Sequence, residues 1–181
     1  MEDKRNVRDE YKNWTIDLIR EDVQKNTFPY AVAMQNFTGD FNFGTLVRNG
    51  NAFGAKEIFY IGGKKHWDRR GDVGARHYSS VVYLPSVEEL KPLKERYVFV
   101  GLENNIERSV SIKNFVWPKN ALMIFGEERN GLTPEVMALC DHLVHIDMVG
   151  SIRSINVGSA SAVALHDYMV KWNSSGGQAI W

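Results

Sequence analysis

Six short, nearly continuous apolar runs govern what this chain can become: Phe28 to Met34, Glu57 to Ile61, Val81 to Leu84, Tyr97 to Leu102, Ala121 to Phe125 and Leu143 to Ile146. Runs of this length without polar alternation predict strands buried on both faces, as in a sheet covered by helices on each side. Helical stretches lie between and after them: Gly44 to Phe53, a segment capped by Ser86 and running to about Glu95, one opening at Thr133-Pro134-Glu135, and a closing helix from about Asn156 to Trp172. Ser and Thr are good cap residues, and proline suits the first helical position because its missing N–H has no partner there anyway. Strands alternating with helices imply an α/β fold with a mainly parallel sheet flanked by helices.

The chain of 181 residues, 44% of them hydrophobic, is enough for one core and one domain. Lys plus Arg equals Asp plus Glu at 22 each, which excludes a global attraction to polyanions. Any nucleic-acid surface must therefore be a local patch. The single cysteine, Cys140, excludes an internal disulfide, and its apolar setting (VMALC) reads as a packed thiol in a reducing compartment. No charged-then-apolar leader and no long apolar run occurs, so a soluble, cytoplasmic protein without membrane contact is expected. The histidines lack metal-ligand spacing, and no metal is expected. His142 and His145 bracket a strand and read as structural.

Residues 2–25 read as a charged helix with Val7, Tyr11, Trp14 and Leu18 on one face. Such a helix needs a partner, on the body of the chain or on a second subunit. Gln35 to Asp40 is turn-rich, and Glu103 to Asn120 reads as irregular. Lys64, Lys65, His66, Arg69, Arg70, Arg76 and His77 fall within fourteen residues, interleaved with Trp67 and Tyr78. That stretch reads as an exposed loop, either a solvated face or an RNA contact, with Lys64, Lys65, Arg69, Arg70 and Arg76 as the RNA-binding candidates.

No G-x-G-x-x-G follows the first strand, and neither a Walker loop nor a G-x-S-x-G elbow is present, which argues against a Rossmann dinucleotide site. Chemistry is instead expected in three glycine-punctuated loops: Asn42 to Gly54 (NFGTLVRNGNAFG), Leu122 to Leu132 (LMIFGEERNGL) and His145 to Ala160 (HIDMVGSIRSINVGSA). Loops at strand ends form the usual mouth of an α/β binding site, so these three should meet in space.

The three loops resemble the ordered motifs of the SpoU/TrmH family. Asn42-Phe43-Gly44 with Arg48 and Phe53-Gly54 is similar to motif 1. Phe125 to Leu132 is similar to the G-x-E-x-x-G-L of motif 2. Ile146-Asp147-Met148, Gly150 and Ser154-Ile155-Asn156-Val157 are similar to motif 3. The resemblance covers roughly residues 28–172. It implies a SPOUT-like fold with a C-terminal deep trefoil knot, and an RNA ribose 2'-O-methyltransferase that uses S-adenosylmethionine and works as a homodimer. By the same resemblance Arg48, Asn42, Glu128, Ser154 and Asn156 are the catalytic candidates, and Leu102, Gly126, Ile146 and Ile155 line the cofactor pocket. Arg48 would clamp RNA phosphate and stabilise developing alkoxide charge, or act as the base. Val157, Ala160, Ala164 and Tyr168 form either a dimer face or an intramolecular core face.

Three departures from the family pattern stand out: Asp147 where proline is usual, Arg129 where glycine is frequent, and Gly50 where alanine is common. The first two leave open a relative that binds RNA without methyl transfer. The domain reading is an N-terminal helical extension over 1–27, a SPOUT methyltransferase domain over 28–173 and a flexible tail over 174–181. With only about 27 residues before the first strand, tRNA is favoured over rRNA.

Overall fold

The computed structural model describes residues 3–36, 41–63, 66–104 and 106–176. Within them seven strands form one sheet: β1 (Ala31–Gln35), β2 (Glu57–Ile61), β3 (Val81–Leu84), β4 (Val98–Leu102), β5 (Val110–Ser111), β6 (Ala121–Phe125) and β7 (His142–His145). Their spatial order is β3-β2-β1-β6-β4-β7-β5. Every pairing between them is parallel. Each of the six apolar runs supplies a strand, and β5 emerges from the stretch read as irregular. Central β1 and β6 are buried at every position, as strands covered on both faces must be.

Four helices accompany the sheet: α1 (Ile16–Lys25), α2 (Asn42–Ala52), α3 (Pro134–Leu139) and α4 (Val157–Ser174). Alternate strand residues feed two cores. On one face Val32, Tyr60 and Met123 pack with Phe43, Leu46 and Val47 of α2 and with Ala164, Leu165 and Tyr168 of α4. On the other, Ala33, Phe59 and Ile124 pack with Leu90 and with Val136 of α3. Helices α2 and α4 lie unusually close. A Cβ on Gly158 would sit 2.8 Å from Thr45 Cγ2. Asn49 Nδ2 crosses the gap to Gly158 O at 2.8 Å and Ser161 Oγ at 2.9 Å.

Ala164 and Tyr168 are fully buried, Val157 packs against the same core, and Ala160 lines a cavity described below. The α4 stripe is therefore an intramolecular face. The exposed stripe runs instead through Ser159, Val163, His166 and Val170.

The N-terminal segment departs from the expected single helix. A 3-10 turn spans Asp9–Tyr11, Asn13 takes a left-handed φ of 67°, and α1 starts afresh at Thr15, whose hydroxyl accepts from Leu18 N at 3.3 Å. Asn tolerates that left-handed conformation better than most residues, so the break falls there. Trp14 and Leu18 end up 42% and 52% exposed, while Tyr11 and Ile19 pack on Tyr78. Arg20 adds a bond to His77 O at 3.0 Å, so the extension docks on its own chain.

The helix expected from Ser86 is a 3-10 helix, Val87–Glu95, and the Ser86 side chain makes no capping bond. Pro92 lies inside it and cannot donate to an α-helical ladder. Thr133 and Pro134 open α3 as expected, although the Thr133 side chain makes no cap bond either. Cys140 is largely packed; burial pushes its thiol up to about 12. No helix among the described residues is long and apolar enough to cross a membrane.

Candidate active site

Strand β6 ends at Phe125, and from Gly126 the chain folds tightly on itself. Glu127 N donates to Gly131 O at 3.1 Å and Gly131 N to Glu127 O at 2.9 Å. A Cβ on Gly126 would lie 2.0 Å from the Gly131 carbonyl carbon, a backbone approach that only glycine permits. Gly131 itself has φ +64°. After β7 the chain turns back through residues 146–156 and enters α4, where Asn156 caps the helix by accepting from Ser159 N at 3.2 Å.

These two returns, together with the end of β4, enclose a cavity of about 540 Å³. It lies outside the carboxyl ends of parallel strands, the place where open α/β sheets bind ligands. Leu102, Gly126, Ile146 and Ile155 all line it, as do Glu128 and Ser154. Apolar walls and exposed backbone make it fit a nucleoside-sized ligand, and charges of both signs line it, Glu103, Glu127 and Glu128 together with Arg129 and Arg153.

At the mouth the three loops do meet. Glu128 Oε2 accepts from Asn42 Nδ2 at 3.3 Å, Asn156 Nδ2 at 3.1 Å and Val157 N at 3.0 Å. Asn156 Nδ2 also donates to Asn42 Oδ1 at 2.9 Å. Ionised carboxylates only accept hydrogen bonds and amides do both, so this set of groups satisfies itself. Asn42 is 3% exposed, on the first turn of α2.

The SpoU rRNA Methylase family pattern matches residues 29–166. The chain belongs to this family. It is 26% identical over 154 residues to the tRNA (guanosine(18)-2'-O)-methyltransferase of Aquifex aeolicus, covering 82% of this chain and 72% of that enzyme. It is 37% identical over 79 residues to the yeast (Saccharomyces cerevisiae) enzyme of the same description, covering 43% of this chain but only 5% of that protein. Among solved structures, the A. aeolicus TrmH/SpoU tRNA modifying enzyme superposes with a TM-score of 0.77 at 23% identity, covering 90% of this chain and 84% of that one. The SpoU methyltransferase AviRb from Streptomyces viridochromogenes, in complex with AdoMet, gives 0.71 at 25% identity, covering 80% and 58%.

Not every residue expected from the SpoU motifs reaches the cavity. Arg48 is exposed on α2, makes no hydrogen bond or ion pair with the described residues, and does not line the cavity of its own chain. Its position six residues after Asn42 turns it some 240° around a 100°-per-residue helix. Arg76 is held by an ion pair of 2.6 Å to fully buried Asp72. Arg70 is paired to Asp68 at 2.6 Å but exposed, and Arg69 is exposed; Lys64 and Lys65 lie outside the described residues. The loop bearing these arginines presses on the α2 N-terminus, where a Cβ on Gly44 would come 2.9 Å from Asp68 O.

Of the departures from the SpoU pattern, Asp147 turns toward the sheet edge. It accepts from Ser111 Oγ and stands 3.7 Å from His145 Nε2. The Ser111 bond holds its carboxyl below the usual range. It does not line the main cavity, whereas Arg129 does.

Sequence reasoning missed Glu103, which immediately follows β4. Its carboxylate accepts from Leu132 N at 2.8 Å and Asn104 N at 3.0 Å, tethering the motif 2 loop. A Cβ on Gly131 would meet Glu103 Oε2 at 2.2 Å. Asn104 Oδ1 in turn accepts from Ile146 N at 3.3 Å. An acid directly after an apolar strand, at the sheet's carboxyl edge, was the signal available. Replacing Glu103 by Ala leaves the buried Leu132 N–H without its acceptor and is expected to cost about 1–3 kcal/mol of unfolding stability in urea. Glu103→Gln keeps an acceptor and should recover most of it. Equal stability of Glu103→Ala and the unaltered protein would contradict the tether.

Proposed function

We propose that this chain transfers a methyl group from S-adenosylmethionine to a ribose 2'-hydroxyl of RNA, with tRNA as the substrate class. The observation that carries it is the junction of Asn42, Glu128 and Asn156 at the rim of a nucleoside-sized cavity, formed from the three motifs of a methylase family. The relatives described as tRNA ribose 2'-O-methyltransferases support both reaction and substrate class.

When bound, S-adenosylmethionine supplies an electrophilic methyl group on a sulfonium. Leu102, Ile146 and Ile155 provide apolar walls for its adenosine, and Gly126 lets backbone approach without a Cβ in the way. Three carboxylates against the two guanidiniums of Arg129 and Arg153 leave the lining slightly negative, which favours its positive charge. Ser154 lines the cavity and would meet the incoming ribose together with the Asn156 amide, which Glu128 fixes at the rim. The ribose hydroxyl is a poor nucleophile and would pass its proton to the adjoining RNA phosphate as it attacks, with S-adenosylhomocysteine as the leaving group. Arg48, permanently charged, holds the adjoining phosphate and stabilises the developing alkoxide.

Since Arg48 does not line its own chain's cavity, it serves this role in a homodimer. The exposed valines of α4, Val163 at 43% and Val170 at 45%, support an apolar contact between copies. Residues 28–173 form the methyltransferase domain, with 1–27 as an extension and 174–181 as a tail. A C-terminal deep trefoil knot belongs to the same reading; the placement of β6 between β1 and β4, with β7 beyond β4, supports it. The cytoplasm, where tRNA is modified and a lone thiol stays reduced, is the proposed location.

With labelled S-adenosylmethionine and tRNA, digestion to nucleosides should recover the label on ribose. Label on a base, or none transferred despite cofactor binding, would refute the reading; the second result would identify an RNA-binding relative without turnover. Arg48→Ala is expected to lower kcat/KM by about 100-fold or more, while calorimetry finds cofactor affinity within about twofold. Sedimentation should find a dimer that Val163→Glu with Val170→Glu converts to monomer, and a monomeric unaltered protein would rule out the shared site.

A further inference from the structure

The far end of α4 holds a second cleft that the proposed chemistry does not use. Segment 113–117 and the last turns of α4 enclose about 280 Å³, close to the lower bound of small-ligand sites at about 300 Å³. Its walls are aromatic. Tyr168 and Trp172 lie parallel within 15° at 5.9 Å, and Trp117 meets Tyr168 edge-on at 6.1 Å. Phe115 and Tyr168 are buried, while Trp117 and Trp172 are only partly covered and leave ring surface accessible at the cleft.

Cations stand at this cleft. Lys113 lines it and is exposed. Lys119 is exposed too, its Nζ 6.0 Å from the Trp172 ring centre. Lys171, by contrast, is occupied: its ammonium donates to Ile112 O and Phe115 O and pairs with Asp167 at 2.8 Å. Asp167 also accepts from Trp117 Nε1 at 2.7 Å, so this neighbouring carboxylate is already engaged. Two exposed lysines therefore give the cleft a positive character in a chain whose formal net charge is zero.

Flat aromatic surface beside exposed ammonium groups suits a ligand with a π-face and an attached anion, which describes a nucleotide. A lipid headgroup or acidic peptide would match the lysines and leave the tryptophans without a purpose. The cleft lies at the opposite end of β6 from the cofactor cavity: Lys119 comes just before that strand and Gly126 just after it. A strand of that length separates the two by roughly 17 Å, so one small ligand cannot fill both, but an RNA chain can span them.

We propose that this cleft seats one nucleotide of an unpaired stretch of the substrate RNA, its base against Trp117 and Trp172 and its phosphate on Lys113 and Lys119. Naming RNA as the source rests on the methyltransferase reading; the nucleotide chemistry stands on the cleft itself.

The test is fluorescence anisotropy with a labelled tRNA transcript and a labelled single-stranded oligonucleotide, over a series of salt concentrations. Lys113→Glu with Lys119→Glu should weaken both complexes by about tenfold or more and lower the slope of log affinity against log salt by about 1.4, two single-strand phosphate contacts at about 0.7 each. Trp172→Phe keeps an aromatic ring beside Phe28 and Tyr168 and should weaken binding less, about threefold, without changing the slope. Ultraviolet cross-linking should attach RNA to the peptide carrying Trp117 or Trp172. Calorimetry with S-adenosylmethionine should give the same affinity for both variants, which excludes general misfolding.

Unchanged RNA affinity and salt slope in the double lysine variant would overturn the proposal. So would a free mononucleotide that binds the unaltered protein but not the variant while RNA affinity stays constant, or a lysine variant altered only in self-association. An unaltered protein that binds RNA through these lysines yet methylates no ribose would refute the enzymatic reading and leave this one intact. Ribose methylation with an RNA KM insensitive to the lysines would do the reverse.

Discussion

One carboxylate holds the candidate site together. Glu128 Oε2 receives N–H groups from Asn42, Asn156 and Val157, which belong to two segments more than a hundred residues apart. A carboxylate accepting three N–H bonds at one oxygen fixes its donors relative to one another. The start of α2, the motif 2 loop and the start of α4 therefore cannot move independently. Asn156 couples a further function to this contact, since the same side chain caps α4 through its oxygen and meets Glu128 and Asn42 through its nitrogen. One residue thus links the start of the closing helix to the cavity mouth.

The scaffold makes that contact possible through close backbone approach. Gly126 allows the motif 2 loop to fold against itself, and Gly158 allows α4 to press on Thr45 of α2. A methyl group at either place would push apart the elements that carry the junction. Glu103 and Asn104 then brace the same loops from β4, so the cavity is supported from the sheet as well as from the helices. Parallel strands with both faces buried fix all of these carboxyl ends along one edge.

Much of this was legible in the sequence because its signals are local. Apolar runs closed by glycine or polar turns marked the strands, Thr133-Pro134 opened α3, and the three glycine-punctuated loops converge as expected. What depended on partners remote in sequence was not legible. The apolar spacing of Ala164 and Tyr168 fits an inner or an outer face equally well, and packing against the sheet decided for the inner one. The break at Asn13 divided a stripe that periodicity alone would have continued through Trp14 and Leu18. Arg48 carries the same lesson: its distance from the cavity of its own chain follows from the direction of a helix face, which the motif spacing alone does not reveal.

A double-mutant cycle on Asn42 and Asn156, read by urea unfolding, tests the junction most directly. Asn42→Ala, Asn156→Ala and the double variant separate the loss of the α4 cap, present in both Asn156 backgrounds, from the interaction across the three segments. The junction predicts a coupling of about 1–2 kcal/mol, because removing either amide already breaks the shared network. Losses that add to within about 0.3 kcal/mol would mean that the two asparagines do not act on each other, and that the loops are held in place by something else.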